Sequence, residues 1–207
     1  MARRRDKLND RGARHDVYHQ RAKREQFAAR AIYKLEELDK KFRLLRPGGR
    51  VLDLGCWPGS WMQYAADRVG SQGHVLGVDL RAVTIALPEH VEHRVVDVLA
   101  WEPEPALRER PFDVLISDMA PQTTGDRKTD QFRSEELCER ALELASLLLR
   151  PGGHFACKVF QGERFPALLA ALRVRFQEAR SFHTAATRAG SREQYLVGRG
   201  HRPEKAS

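Results

Sequence analysis

At 207 residues, with 36 Lys or Arg against 28 Asp or Glu and a net charge of +8, the chain can form one self-sufficient core without a disulfide or metal staple. Its three cysteines, Cys56, Cys138 and Cys157, are odd in number, widely spaced and free of any Cys-x-x-Cys. That pattern fits reduced thiols in a cytoplasmic protein; no run approaches the ~20 apolar residues of a membrane helix, and no apolar stretch follows the first arginines as in a secretory signal.

The charge is unevenly placed. Residues 1–30 hold ten Lys or Arg and four acids, so six of the net +8 charges lie there. Such an arm reads as a phosphate-seeking tail, with a solubilising tail as the plainer reading. The four acids and the lack of serine argue against a mitochondrial leader. We expect a basic extension over residues 1–22, a folded domain over 23–200 and a short tail over 201–207. His15 and His19, and His90 and His93, have helical spacing but no third ligand, so no metal site is expected.

After the arm, Phe27, Ala31, Ile32, Leu35 and Leu38 recur at helical spacing, and Pro47-Gly48-Gly49 turns the chain. Val51–Leu54 reads as a buried strand and Ser60–Val69 as a helix opening at a glycine turn. His74–Asp79 is a second strand and His93–Val96 a third, ending at Asp97. Pro103 and Pro105 interrupt the linker that follows. Phe112–Asp118 is a fourth strand. A polar loop over Gln122–Asp130 leads to a helix from about Ser134 to Leu149, stopped by Pro151-Gly152-Gly153. His154–Phe160 is a fifth strand, Phe165–Phe176 a helix, and Ala179–His183 and Gln194–Gly198 the last two strands.

Strands alternating with helices imply parallel βαβ units in a doubly wound sheet. Ligands of such sheets sit beyond the carboxyl ends of the strands, where the strand order reverses. The segment Gly55–Trp61 and the residues Asp79, Asp97, Asp118 and Lys158 all fall at those ends. One strand-end Asp is ordinarily a cap or turn residue; five polar or glycine features at equivalent ends make a pocket.

The glycine turn lets backbone N–H groups approach a ligand. Its order, Gly55-x-x-x-Gly59, departs from the Gly-x-Gly-x-x-Gly of dinucleotide sites, which counts against a nicotinamide-dependent oxidoreductase. Asp79 follows Gly59 by 20 positions, where an acid accepts from ribose hydroxyls. These features suit an adenosyl ligand without a pyrophosphate, and S-adenosylmethionine is the candidate. Asp97 would face its adenine amine, and Asp53 or Asp118 its positive methionine end. Trp61 reads equally as core packing or as a cofactor contact. Trp57 would wall the pocket or pack beneath it.

Amine methylases place Asn/Asp-Pro-Pro-aromatic after the fourth strand. Asp118-Met119-Ala120-Pro121 lacks the second proline and the aromatic, which favours a hydroxyl acceptor. A ribose 2′-hydroxyl is a poor nucleophile and benefits from a base. An ordinary lysine holds its proton with a pKa of ~10.4; burial and a second cation lower that value. Lys34 and Lys158 are candidates for such a pair, with Asp118 and Glu193 orienting them. Taken alone, Lys34 also reads as a solvated helix lysine, Lys158 as a strand-end lysine and Glu193 as a partner of Arg192. Lys158 stands out because Cys157, Val159 and Phe160 flank it with apolar side chains. Arg127, Lys128 and Arg188 are further phosphate candidates.

Five segments carry a resemblance: Arg30–Leu35, Asp53–Trp61, Ser117–Pro121, Lys158–Glu163 and Ser191–Tyr195. From about residue 20 to 200 the chain resembles the FtsJ/RrmJ (RlmE) family of ribosomal RNA 2′-O-ribose methyltransferases. The resemblance implies an α/β, Rossmann-like S-adenosylmethionine-dependent methyltransferase fold, with a seven-stranded, mostly parallel sheet and helices on both faces. It implies a catalytic set of Lys34, Asp118, Lys158 and Glu193, with Lys158 the principal residue. It also implies S-adenosyl-L-methionine contacts at Gly59, Trp61, Asp79, Asp97 and Asp118. The implied partner is RNA, either large-subunit rRNA or the assembled large subunit, modified at a uridine of the A-loop by a monomer. Two features depart from the family: Cys56-Trp57 where small residues are common, and Ser60 where a second glycine is usual. The same chemistry on tRNA or an mRNA cap, and a non-catalytic RNA-binding assembly factor, are the rival readings.

Overall fold

The computed structural model describes residues 11–187 and 190–203. Its elements run α1 (Arg11–Arg24), α2 (Ile32–Phe42), β1 (Arg50–Leu54), α3 (Ser60–Val69), β2 (His74–Asp79), β3 (Val91–Val95), α4 (Pro105–Glu109), β4 (Phe112–Ser117), α5 (Arg127–Leu148), β5 (Leu149–Phe160), α6 (Phe165–Arg175), β6 (Phe176–Phe182) and β7 (Glu193–His201). Seven strands form one sheet in the order β3-β2-β1-β4-β5-β7-β6. The pairs among β1 to β5 are parallel, and β7 runs antiparallel to both of its neighbours. The expected α/β architecture, mostly parallel and seven-stranded, is the one observed.

Apolar runs explain the central strands. Val51, Leu52 and Leu54 of β1 and all six residues of β4 are buried, as a parallel strand covered on both faces requires. One core lies beneath α5 and α6 and includes Leu142, Leu148, Leu168 and Leu172. The other lies beneath α2 and α3 and includes Leu35, Leu38, Met62 and Val69. From β1 the chain winds one way to β2 and β3, and from β4 the other way to β5. The crevice between the ends of β1 and β4 is therefore the topological switch point.

Several boundaries differ from the sequence reading. The third strand is Val91–Val95, shifted toward the N-terminus, because its register follows Val75–Asp79 of β2. Helix α5 starts at Arg127, inside the expected polar loop, because Asp126 caps it by accepting from the Thr129 N–H at 2.7 Å. Pro105 opens the short α4 rather than breaking the linker, since a proline at the first helical position loses no needed donor. Strand β5 begins at Leu149 and runs through the Pro151-Gly152-Gly153 turn, with a register shift against β4 between Phe112 and Val114.

The expected N-terminal arm is helical from Arg11 onward. Ala22 is buried with Ile32, Tyr33 and Ala186, and Tyr18 lies 5.4 Å from the Tyr33 ring. The end of α1 therefore packs on the body. Arg3, Arg4, Arg5 and Lys7 of that arm, Arg188 and residues 204–207 lie outside the described residues. Among the described residues no helix is long and apolar enough to cross a membrane.

Candidate active site

Strand β1 delivers the chain into the switch-point crevice through two glycines with left-handed backbone. Gly55 has φ 79°, and a Cβ there would stand 2.6 Å from Met119 Cγ and 3.0 Å from its Cα. Gly59 has φ 109° and caps α3; a Cβ there would lie 2.7 Å from Ile85 Cδ1. Both positions demand glycine for shape as well as for backbone freedom. The first-turn N–H groups of α3, whose first residues are Ser60 and Trp61, face no intrahelical acceptor.

Asp53 lies beneath this turn and is fully buried, yet neither carboxylate oxygen has a hydrogen-bond partner among the described residues. Burial, and then the charges of Asp118 and Asp79, push its pKa well above the usual carboxylate range. An orphaned buried carboxylate of this kind fits a cationic or donor-bearing ligand group. Asp79, at the end of β2, is half-buried. It accepts from the Trp57 N–H at 3.0 Å and the Arg81 N–H at 2.9 Å. The Arg81 guanidinium lies 4.6 Å from the centre of the half-exposed Trp57 ring, so Trp57 walls the turn from outside. Asp97 is exposed, two residues past β3, with one oxygen accepting from the Leu99 N–H.

Trp61 is 3% exposed. Its indole N–H donates to the Ala31 carbonyl at 2.8 Å, and its ring stacks on Tyr195 at 6.1 Å. The side chain thus performs the packing role of the two considered, fastening α3 to the start of α2 and to β7.

Across the crevice four charged side chains from four elements meet. Asp118 follows β4, Lys158 stands on β5, Glu193 on β7 and Lys34 on α2. The Lys158 Nζ is 3.1 Å from Asp118 Oδ1 and donates to the Asp118 carbonyl at 2.5 Å. The Lys34 Nζ is 2.7 Å from Glu193 Oε1 and 3.8 Å from the same Asp118 Oδ1. Burial disfavours a charged Asp118, but the Lys158 and Lys34 ammonium groups outweigh it and hold its pKa below the ordinary value. Two cations and two anions thus balance in one place with side chains at most 17% exposed. The four residues expected from the sequence converge.

Four supporting residues are not singled out by sequence reasoning. Tyr195 donates to Asp118 Oδ1 at 2.6 Å; burial, and then the Asp118 charge, push its pKa well up, so it keeps the proton it donates. Thr187 donates to Glu193 Oε1 at 2.8 Å, and Thr184 bonds Thr187 in turn. Tyr33 precedes Lys34 and donates to Glu25, with Arg21 at 4.3 Å over its ring; burial raises its pKa to about 12. Tyr195 carried a signal, being two positions beyond Glu193 and hence on the same face of a strand. Thr187 carried none, since it sits in a loop.

A family model described as FtsJ-like methyltransferase matches residues 27–201. A ribosomal RNA large subunit methyltransferase E of Syntrophobacter fumaroxidans is 47% identical over 187 residues, covering 88% of this chain and 94% of that one. Its counterpart in Desulfosudis oleivorans is 45% identical over 184 residues, covering 88% and 89%. Among solved structures, a putative ribosomal RNA methyltransferase of Plasmodium falciparum superposes with a TM-score of 0.73 at 26% identity, covering 84% of this chain and 98% of that one.

Proposed function

The chain belongs to the FtsJ-like methyltransferase family, and on that footing we propose that it transfers the methyl group of S-adenosyl-L-methionine to a ribose 2′-hydroxyl of RNA. The proposed target is a uridine in the A-loop of large-subunit (23S) rRNA. The observation that carries this reading is the meeting of Lys34 and Lys158 at one Asp118 oxygen, beside a glycine turn over an unpartnered buried acid. The names of the relatives favour the large subunit over tRNA or a cap.

When bound, S-adenosylmethionine supplies a methyl group made electrophilic by its sulfonium. The free carboxylate of Asp53 fits the positive methionine end, and Asp79 the ribose hydroxyls. Gly59, whose own N–H is held by the Cys56 carbonyl at 2.7 Å, shapes the turn that lets the ligand approach, Trp61 offers a first-turn backbone N–H of α3, and Asp97 is offered to the adenine amine. Asp118 lies between the two halves of the site, next to Asp53 and ion-paired with both lysines, and serves orientation and charge balance. Lys158, after giving up its ammonium proton to solvent, would accept the 2′-hydroxyl proton as the O–C bond forms and the methyl–sulfur bond breaks. Lys34, fixed by Glu193, holds a second positive charge beside it. Proximity and alignment supply most of the acceleration, with the base adding roughly 10²–10⁴-fold.

The test is transfer of labelled methyl to large ribosomal subunits lacking the modification, to free 23S rRNA and to tRNA. Recovery of label in 2′-O-methyluridine from the large subunit supports the reading. Label on a base, or on tRNA alone, overturns it.

A further inference from the structure

A cleft opens beside the lysine cluster, lined by Arg127, Asp130, Gln131, Phe160, Ser191 and Arg192. Its position follows from strand register. Lys158 pairs with Tyr195, and Phe160 pairs with Glu193. Phe160 is two residues beyond Lys158, so both side chains leave the same face of β5, about 7 Å apart along the strand. Cys157 and Val159 point the other way, into the core under α5 and α6. Phe160 is half-buried at the rim, and its N–H is held by Ser134 Oγ at 3.0 Å.

The charges of the cleft have one sign to offer. Arg127 and Arg192 are exposed and form no ion pair among the described residues. The carboxylate of Asp130 is engaged by its own loop, accepting from the Thr124 N–H at 2.7 Å and from the Thr124 hydroxyl. The Gln131 amide donates to the Gln161 carbonyl. An aromatic ring and two guanidiniums without ion pairs lining one cleft, two residue pairs along β5 from the proposed base, match a single-stranded nucleotide. Bases stack on rings, and phosphates take Arg.

We infer that this cleft receives the nucleotide adjoining the methylated one, its base on Phe160 and its phosphate between Arg127 and Arg192. The inference rests on the RNA 2′-O-methylation reading and adds to it the surface that sets the register of the strand. It makes Phe160, Arg127 and Arg192 positioning residues for substrate and gives them no part in holding cofactor.

The experiment uses the full chain and the variants Phe160→Leu, Arg127→Gln and Arg192→Gln. Methyl transfer to unmodified large subunits gives kcat and KM, calorimetry gives S-adenosylmethionine affinity, and an oligouridylate carrying 5-iodouridine is photo-crosslinked and its peptide adducts mapped. The expected result is an adduct on Phe160 that Phe160→Leu abolishes, with that variant's subunit KM raised roughly tenfold. Each arginine variant lowers the slope of log affinity against log salt by about one, and cofactor affinity is unchanged in all three. Adducts elsewhere, together with unaltered KM in Phe160→Leu, overturn the inference while leaving the methylation reading intact. A wild-type chain that methylates no RNA overturns both.

Discussion

Lys34 and Lys158 stand 124 positions apart in the sequence, yet their amino groups address a single oxygen, Asp118 Oδ1, at 3.8 and 3.1 Å. One comes from a helix on the face of the sheet and the other from a strand within it. Tyr195 donates a hydrogen bond to that oxygen at 2.6 Å. The carboxylate is therefore the hub of the cluster, and the two lysines are held in place through it.

The two buried acids of the crevice should respond oppositely to the same substitution. Asp118 has a depressed pKa, so its contribution to stability is complete above its unfolded pKa of ~3.9 and is lost as pH falls through the folded value. Asp118→Asn should destabilise the protein by about 3 kcal/mol at neutral pH, because Lys158 is left buried without a counter-charge. Asp53 has a raised pKa, so its favourable contribution is complete below the unfolded pKa and is lost as pH rises through the folded value. Asp53→Asn should stabilise the cofactor-free protein by about 1 kcal/mol, or roughly 3 °C. It should also weaken S-adenosylmethionine binding by about ten- to a hundredfold. Thermal unfolding from pH 3 to 9 and calorimetry measure both effects; equal signs for the two variants would contradict the assignment.

Tyr195→Phe removes one donor from Asp118 and leaves the ring stacked on Trp61. The expected loss of stability is about 1 kcal/mol. Methyl transfer should slow by about tenfold through misorientation, with cofactor affinity kept. Unchanged turnover in this variant would show that Asp118 does not need its third partner.

The basic arm predicts a salt effect. A chain shortened to begin at Arg11 lacks Arg3, Arg4, Arg5 and Lys7. If those residues hold phosphates, the salt slope of RNA binding should fall by up to about 3. Filter binding of large-subunit rRNA between 50 and 300 mM salt is the measurement, and an unaltered slope removes the arm from the interface.

Much of this arrangement was legible because parallel strands impose it. The acids and glycines at the ends of β1, β2 and β4 could be aligned by counting strands, and Lys158 was conspicuous on an apolar run. What stayed hidden depended on register or on pairings in space. The antiparallel register of β5 against β7 sets Tyr195 opposite Lys158, and no local pattern specifies it. The solitude of Asp53 is a property of its surroundings, since a buried acid and a bonded one look alike in sequence. The start of α5 was misplaced because the polar composition of its first turn conceals the Asp126 cap.

The role of Lys158 as the base is tested by the pH dependence of single-turnover methyl transfer to unmodified large subunits, measured for the wild-type chain and for Lys158→Arg. Arginine keeps the charge opposite Asp118 but does not release a proton in this range. With Lys158 as the base, the wild-type rate climbs with pH, and the variant binds S-adenosylmethionine normally but is slower by at least about 10²-fold and flat with pH. A Lys158→Arg variant that turns over at the wild-type rate with the same profile would contradict that role.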